Sequence, residues 1–159
     1  MSSFNLVESD VRRLIAEYEP GTALQLVCEC LRAGVAHYDW VGYYIAVPEI
    51  RELALGPFDG EKTDHIRIPY GQGICGQAAD RLATFTVQDV SLEANYLSCS
   101  LRVKSEIVVP VFLDGEFIAE IDIDSHEPNV FSDADEAFLK TIAELTAPLI
   151  AEFRPARSS

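Results

Sequence analysis

The stretch from Glu106 to Asp124 does most to fix what this chain can fold into. Ile107-Val108-Val109-Pro110-Val111-Phe112 is rich in β-formers, Asp114-Gly115 is a strong hairpin signal, and Glu116 to Asp124 returns alongside. In the returning strand, Glu120-Ile121-Asp122-Ile123-Asp124 alternates strictly. Ile121 and Ile123 therefore face one side and the three carboxylates the other. Two readings are open. One is a half-exposed strand with a wet face. The other starts from the mutual repulsion of three like charges and the poor β propensity of Asp. Such a row suits a cation or an ammonium, or keeps one carboxyl protonated as a donor. Register decides whether Glu106 joins them. A two-residue Asp114-Gly115 turn puts Glu106 opposite Ile123, on the wrong face. A three-residue Leu113-Asp114-Gly115 loop, with Gly115 left-handed, puts it opposite Asp122, and a bulge at Pro110 has the same effect on facing. The face-matching register is expected, with Pro110 at an edge or a bulge.

Around this hairpin the pattern is helix, helix, strands, a small helix, strands, helix. Glu8 to Tyr18 reads as one helix, ended near Pro20-Gly21. Thr22 resembles the N-cap of a second, with Leu24, Val27, Cys28, Leu31 and Val35 at helical spacing. Trp40 to Ile45 and Glu52 to Leu55 are strand-like, and Gly56-Pro57-Phe58-Asp59-Gly60 is turn chemistry. A short helix over Gln77 to Leu82, a strand over Thr84 to Val90 and a loop over Ser91 to Ser100 follow. Ser132 caps the closing helix, with Asp133, Asp135 and Glu136 in its first turn. Phe138, Leu139, Ile142, Leu145, Leu149 and Phe153 form its apolar face. Without βαβ repeats, the order predicts an α+β fold, an antiparallel sheet with helices packed on one face. The 159 residues make one domain spanning 1–159.

A formal net charge of −14 disfavours nucleic acid and anionic membrane surfaces, which need clustered Lys and Arg. No segment approaches the roughly 18 consecutive apolar residues of a membrane span. Met1-Ser2-Ser3-Phe4-Asn5 lacks a secretion signal, so a cytoplasmic location is expected. There a structural disulfide framework is unexpected for the four cysteines, Cys28, Cys30, Cys75 and Cys99. Cys28-Glu29-Cys30 has the wrong spacing for zinc, and both thiols read as core or boundary residues, so no metal is assigned. Gly71 to Gly76 matches G-x-G-x-x-G, but Pro69 precedes it and the following helix is short. It reads as a tight turn before a helix rather than a dinucleotide loop. Cys75 then lies near a helix N-terminus, either as a favoured thiolate or as a small buried residue. Cys99, in a polar loop seven residues before Glu106, suggests a redox or nucleophilic thiol, with a core role as the alternative.

Together these segments resemble the free methionine-(R)-sulfoxide reductase family, built on a GAF domain. The matching pieces are Trp40-Val41-Gly42-Tyr43-Tyr44, Leu55-Gly56-Pro57-Phe58-Asp59-Gly60, Arg67-Ile68-Pro69-Tyr70-Gly71-Gln72-Gly73-Ile74-Cys75-Gly76 and Val87-Gln88-Asp89-Val90. They continue with Cys99, Ser105-Glu106-Ile107-Val108-Val109-Pro110 and Ile121-Asp122-Ile123-Asp124-Ser125. The resemblance implies a GAF-like sheet of about five or six strands. It implies a catalytic Cys99 resolved by a disulfide with Cys75, and Glu106, Asp122 and Asp124 holding the substrate ammonium and helping to activate the sulfoxide. Trp40 and Tyr44 match pocket aromatics near the methyl group. The implied partners are free methionine sulfoxide and a dithiol reductant such as thioredoxin, with no bound cofactor and a homodimer compatible. The chain departs from the family pattern at His65, where many members have a third cysteine, and at Tyr96 and Ser100 beside Cys99. The competing expectation is a GAF domain that senses a small molecule or redox state without chemistry.

Overall fold

The computed structural model describes residues 3–97 and 102–154. Among them the elements run α1 (Ser3–Glu17), α2 (Pro20–Gly34), β1 (Trp40–Val47), β2 (Glu52–Asp59), β3 (Arg67–Pro69), α3 (Gly73–Arg81), β4 (Phe85–Val87), β5 (Ser105–Leu113), β6 (Glu116–Ser125) and α4 (Asp133–Phe153). The strands form one antiparallel sheet in the order β3-β2-β1-β6-β5-β4. The predicted α+β architecture holds, with six strands among the described residues.

One sheet face carries Val41, Tyr43, Ile45, Ile107, Val109, Ile121 and Ile123 into a core closed by α2 and α4. The N-terminal helix α1 is a layer further out: it lies against α2 and α4. Its Phe4 stacks on Phe138 of α4, centroids 4.6 Å apart. Ser132 caps α4 as expected, in a reciprocal capping box with Asp135. Helix α2 begins three residues before the expected start, with Glu19 rather than Thr22 at the N-cap. Pro20 opens the helix, which its fixed φ suits, and Thr22 instead donates to the Glu19 carboxylate at 3.1 Å.

The opposite face holds a second cluster, including Trp40, Tyr44, Ile68, Ile74, Cys75 and Val108, covered by α3 and the 90–97 segment. Two irregularities shape it. The Gly56–Asp59 stretch, predicted as a turn, belongs to β2. Gly42 pairs with Phe58 but Tyr44 with Leu55, so β2 accommodates one extra residue at Gly56-Pro57. A bulge tolerates proline's missing N–H, which a regular ladder does not. The second irregularity sets the hairpin register. Asp114 (φ 53°) and Gly115 (φ 79°) form a two-residue turn with both residues left-handed. Phe112 pairs with Phe117, but Val111 pairs with Ala119, so Ile118 is an extra residue in β6. That bulge reverses the facing a plain two-residue turn would give. Glu106 therefore lies opposite Asp124, on the acidic face as predicted, but one pair away from the expected Asp122 and by a different device. Pro110 lies on β5 beyond the reach of β4, which pairs only with Glu106, Ile107 and Val108.

Candidate active site

The alternation of β6 aims Glu120, Asp122 and Asp124 at the α3-covered face, and pairing with β1 supplies their neighbours. Trp40 lies opposite Asp124, Gly42 opposite Asp122 and Tyr44 opposite Glu120. Gly42 is required by the Trp40 ring: a Cβ there would meet Trp40 Cη2 at 2.4 Å. The indole thus lies over Gly42 and stacks on Phe58, centroids 5.4 Å apart, while its Nε1–H donates to the Glu61 carbonyl at 2.8 Å. Tyr44 is fully buried and its hydroxyl donates to the His65 carbonyl at 2.9 Å. Both aromatics predicted to line a pocket are on the acidic face, fixed by hydrogen bonds at their polar ends.

The acids are interior groups, not a wet strand face. Glu120, Asp122 and Asp124 are 0%, 1% and 2% exposed, and Glu106 is 6% exposed. Both oxygens of Glu120, Oδ1 of Asp122 and Oδ1 of Asp124 lack hydrogen-bond partners among the described residues. A buried polar atom without a partner costs roughly 1–3 kcal/mol, and more if charged. Burial pushes Glu120 well above the usual carboxylate range and the Asp122 charge pushes it further, with the adjacent Cys75 thiol opposing. Burial and the Asp122 charge likewise raise Asp124 well above its ordinary value, with Glu106 opposing. Asp122 is raised by burial, against hydrogen bonds with Glu106 and Cys75 and the pull of His65. The site favours protons or an incoming cation over bare carboxylates.

Helix α3 delivers Cys75 to this cluster. Gly71 (φ 89°) and Gly73 (φ 65°) adopt left-handed conformations, and a Cβ on Gly76 would lie 2.5 Å from the Pro69 carbonyl oxygen. The glycine motif is thus the tight turn predicted from sequence. The Gly73 N–H, at the start of α3, donates to Asn95 Oδ1 at 2.9 Å. Asn95 also donates to the Gly71 carbonyl and accepts from Gln77, tying the 90–97 segment to α3. The Cys75 thiol points at Glu106 Oε2, 3.8 Å away. Helix position does not make it a favoured thiolate. Burial first, then Asp122, Glu120, Glu106 and Asp124, push its pKa well above that of an ordinary thiol. Cys28 is buried and Cys30 half-buried, as expected for core and boundary residues.

A cavity of about 10 Å³ lies beside Cys75, Tyr44, His65, Leu97, Glu106 and Asp122. Another of about 20 Å³ lies between Trp40, Glu61, Lys62, Val103, Asp124 and His126. Each is the size of about one water, so anything larger enters only when its cover moves. A wider groove of about 660 Å³, by Leu82, Pro110, Phe112 and Lys140, is not lined by these acids and follows the outer edge of β5 beyond its pairing with β4.

The structure therefore brings together Cys75, Glu106, Asp122, Asp124, Trp40 and Tyr44. Cys99 and Ser100 lie outside the described residues. Glu120 is the site residue sequence reasoning did not select. Its face was legible in the alternation, but its depth, and its contact with Cys75, depend on α3. His65, noted only as a departure, lines the cavity with Cys75.

A GAF domain family model matches residues 19–151. The free methionine-R-sulfoxide reductase of Saccharomyces cerevisiae is 34% identical over 125 residues, 77% of this chain and 69% of that protein. The solved type II free methionine-R-sulfoxide reductase from Thermoplasma acidophilum is 43% identical, with a TM-score of 0.80 over 84% of this chain and 94% of that one. The free methionine-R-sulfoxide reductase of Neisseria meningitidis, solved in complex with its substrate, gives a TM-score of 0.87 at 31% identity, covering 93% of this chain and 88% of that one. With the acidic recess on the same fold, the chain belongs to the free methionine-R-sulfoxide reductase family of GAF domains.

Proposed function

We propose that this protein reduces free methionine-(R)-sulfoxide to methionine by a thiol–disulfide cycle. The observation that carries the reading is the row of buried acids with unpartnered oxygens beside Cys75. A free amino acid brings an ammonium, and Glu106, Asp122 and Asp124 are suited to bind it in an interior recess. A methionine residue within a peptide has no such group. An acid kept protonated can donate to the sulfoxide oxygen and make the sulfur electrophilic. Trp40 and Tyr44 supply apolar surface for the methyl group.

In this reading the Cys99 thiolate attacks the activated sulfoxide sulfur and ultimately takes its oxygen. Methionine leaves and Cys99 becomes a sulfenic acid. Cys75 attacks that sulfur, giving a Cys75–Cys99 disulfide; its thiol proton leaves with the hydroxyl as water. A dithiol such as thioredoxin donates two electrons and two protons to restore both thiols. No bound cofactor takes part, and the cycle suits the reducing cytoplasm. Substrate entry requires the Asn95–Leu97 cover to shift, because the cavity below it holds only about one water.

A stoichiometric reaction tests this. Reduced protein mixed with the free (R)-sulfoxide, without reductant, forms one methionine per chain and a peptide-mapped Cys75–Cys99 disulfide. Cys75→Ser forms methionine once and accumulates a trappable sulfenic acid, whereas Cys99→Ser forms none. Methionine formation without that disulfide would overturn the two-cysteine cycle; no methionine from wild type would overturn the reaction.

A further inference from the structure

We propose that the reduced protein binds a zinc ion through Cys75, Glu106 and Asp122, and that this ion competes with substrate. One ligand atom from each residue lies within 4.8 Å of the others, and all three residues are buried. Tetrahedral zinc with Zn–S of about 2.3 Å and Zn–O of about 2.0 Å separates sulfur from oxygen by about 3.5 Å. Cys75 Sγ and Glu106 Oε2 are 3.8 Å apart, so a shift of a few tenths of an ångström completes that edge. Asp122 Oδ1 has no partner among the described residues. A second, independent observation is Glu120, fully buried beside the Cys75 thiol, with neither oxygen hydrogen-bonded among the described residues; it stands outside the group of three, so water fills the fourth place between it and the ion. The adjoining cavity of about 10 Å³ suits an ion or a water and excludes an amino acid.

The donor set selects the metal. A thiolate favours borderline-soft zinc over magnesium or calcium, which take all-oxygen shells. Binding displaces to solvent the Cys75 thiol proton and any proton that burial holds on the ligand carboxyls, and forms one Zn–S and two Zn–O bonds; nothing is oxidised or reduced. The ion would neutralise the carboxylates that the substrate ammonium needs and occupy the thiol that resolves the sulfenic acid. This competition rests on the proposed reductase reading; the binding does not.

The test titrates the reduced full-length protein with zinc by calorimetry and with cobalt by thiolate-to-metal absorption. Maleimide mapping of the cysteines is run with and without zinc. Expected are one ion per chain, protection of Cys75, and affinity lowered about 100-fold or more in both Cys75→Ser and Asp122→Asn but unchanged in Cys30→Ser. An equal amount of zinc also abolishes methionine formation, and a chelator restores it. Unchanged affinity in Cys75→Ser, no stoichiometric binding by folded wild type, or equal binding of magnesium would each overturn the site. Zinc binding at Cys75 in a protein inactive on the sulfoxide would remove the reductase reading and the competition while leaving the site. Sulfoxide reduction unaffected by zinc would remove the competition alone.

Discussion

Replacing Glu120 by Gln tests whether the acid row is held protonated by burial. Gln matches the protonated acid in shape but cannot ionise. In wild type, burial and the Asp122 charge raise the folded pKa of Glu120 well above its reference value of 4.5. The sign follows from linkage. Below the reference value both states hold the proton; above it the unfolded chain releases the proton while the folded chain keeps it. Stability therefore falls as pH rises towards the folded pKa. One such group contributes a slope of at most about 1.4 kcal/mol per pH unit. Part of that slope is shared with Asp122 through their mutual repulsion. Urea unfolding followed by circular dichroism from about pH 4 to 7.5 measures the slope. Wild type and Glu120→Gln should agree within about 1 kcal/mol at the acid end, and the variant should lose less stability as pH rises. Equal slopes in the two proteins would refute the reasoning, because Glu120 would then titrate alike folded and unfolded.

Other perturbations test separate parts of the account. Asp122→Asn, nearly isosteric, should keep the fold and lower kcat/KM for free methionine-(R)-sulfoxide by about 100-fold; a change of only a few-fold would remove Asp122 from the machinery. Gly73→Ala places a side chain at φ 65° with its Cβ 2.9 Å from Leu97 Cγ, so thermal or urea unfolding should show a loss of about 1–2 kcal/mol. Asp135 accepts from the Ser132 amide at 2.8 Å and Tyr38 at 2.8 Å and contacts His37 at 2.6 Å. Burial raises its pKa, but these bonds outweigh that and hold it below the reference value of 3.8. Asp135→Asn should therefore cost about 2 kcal/mol at neutral pH. The deficit should shrink as pH falls below about 3.8, where wild type itself loses the contribution.

The legible parts of the sequence are those governed by short-range periodicity. Asp114-Gly115 announces the hairpin, and the strict alternation of β6 separates its isoleucines from its acids. Ser132 announces α4. The bulge at Ile118 is not legible, because Phe117-Ile118-Ala119 fits either side of a regular ladder and only packing on both faces selects the extra residue. Likewise, Gly56-Pro57 carries a turn signature, yet pairing with β1 and cover from α2, whose Cys28 thiol donates to the Pro57 carbonyl at 3.5 Å, keep it in β2. At the site, alternation gave the face of the acids but not their depth. Their burial beneath α3, which raises Cys75 instead of activating it, arises from contacts between segments some 30–50 residues apart. The glycine motif forms the tight turn before α3 that its flanking elements pointed to, and the Gly73 amide at the α3 N-terminus donates to Asn95.

The most direct measurement of the central claim is methionine release by the wild-type protein with a thioredoxin system. It compares free methionine-(R)-sulfoxide, the free (S) epimer and a peptide containing methionine sulfoxide. The account predicts turnover of the free (R) epimer and none of the peptide, since the acid row is assigned to an amino acid's ammonium and the family acts on the (R) form. No methionine from the free (R) epimer, or comparable rates on the peptide, would contradict it.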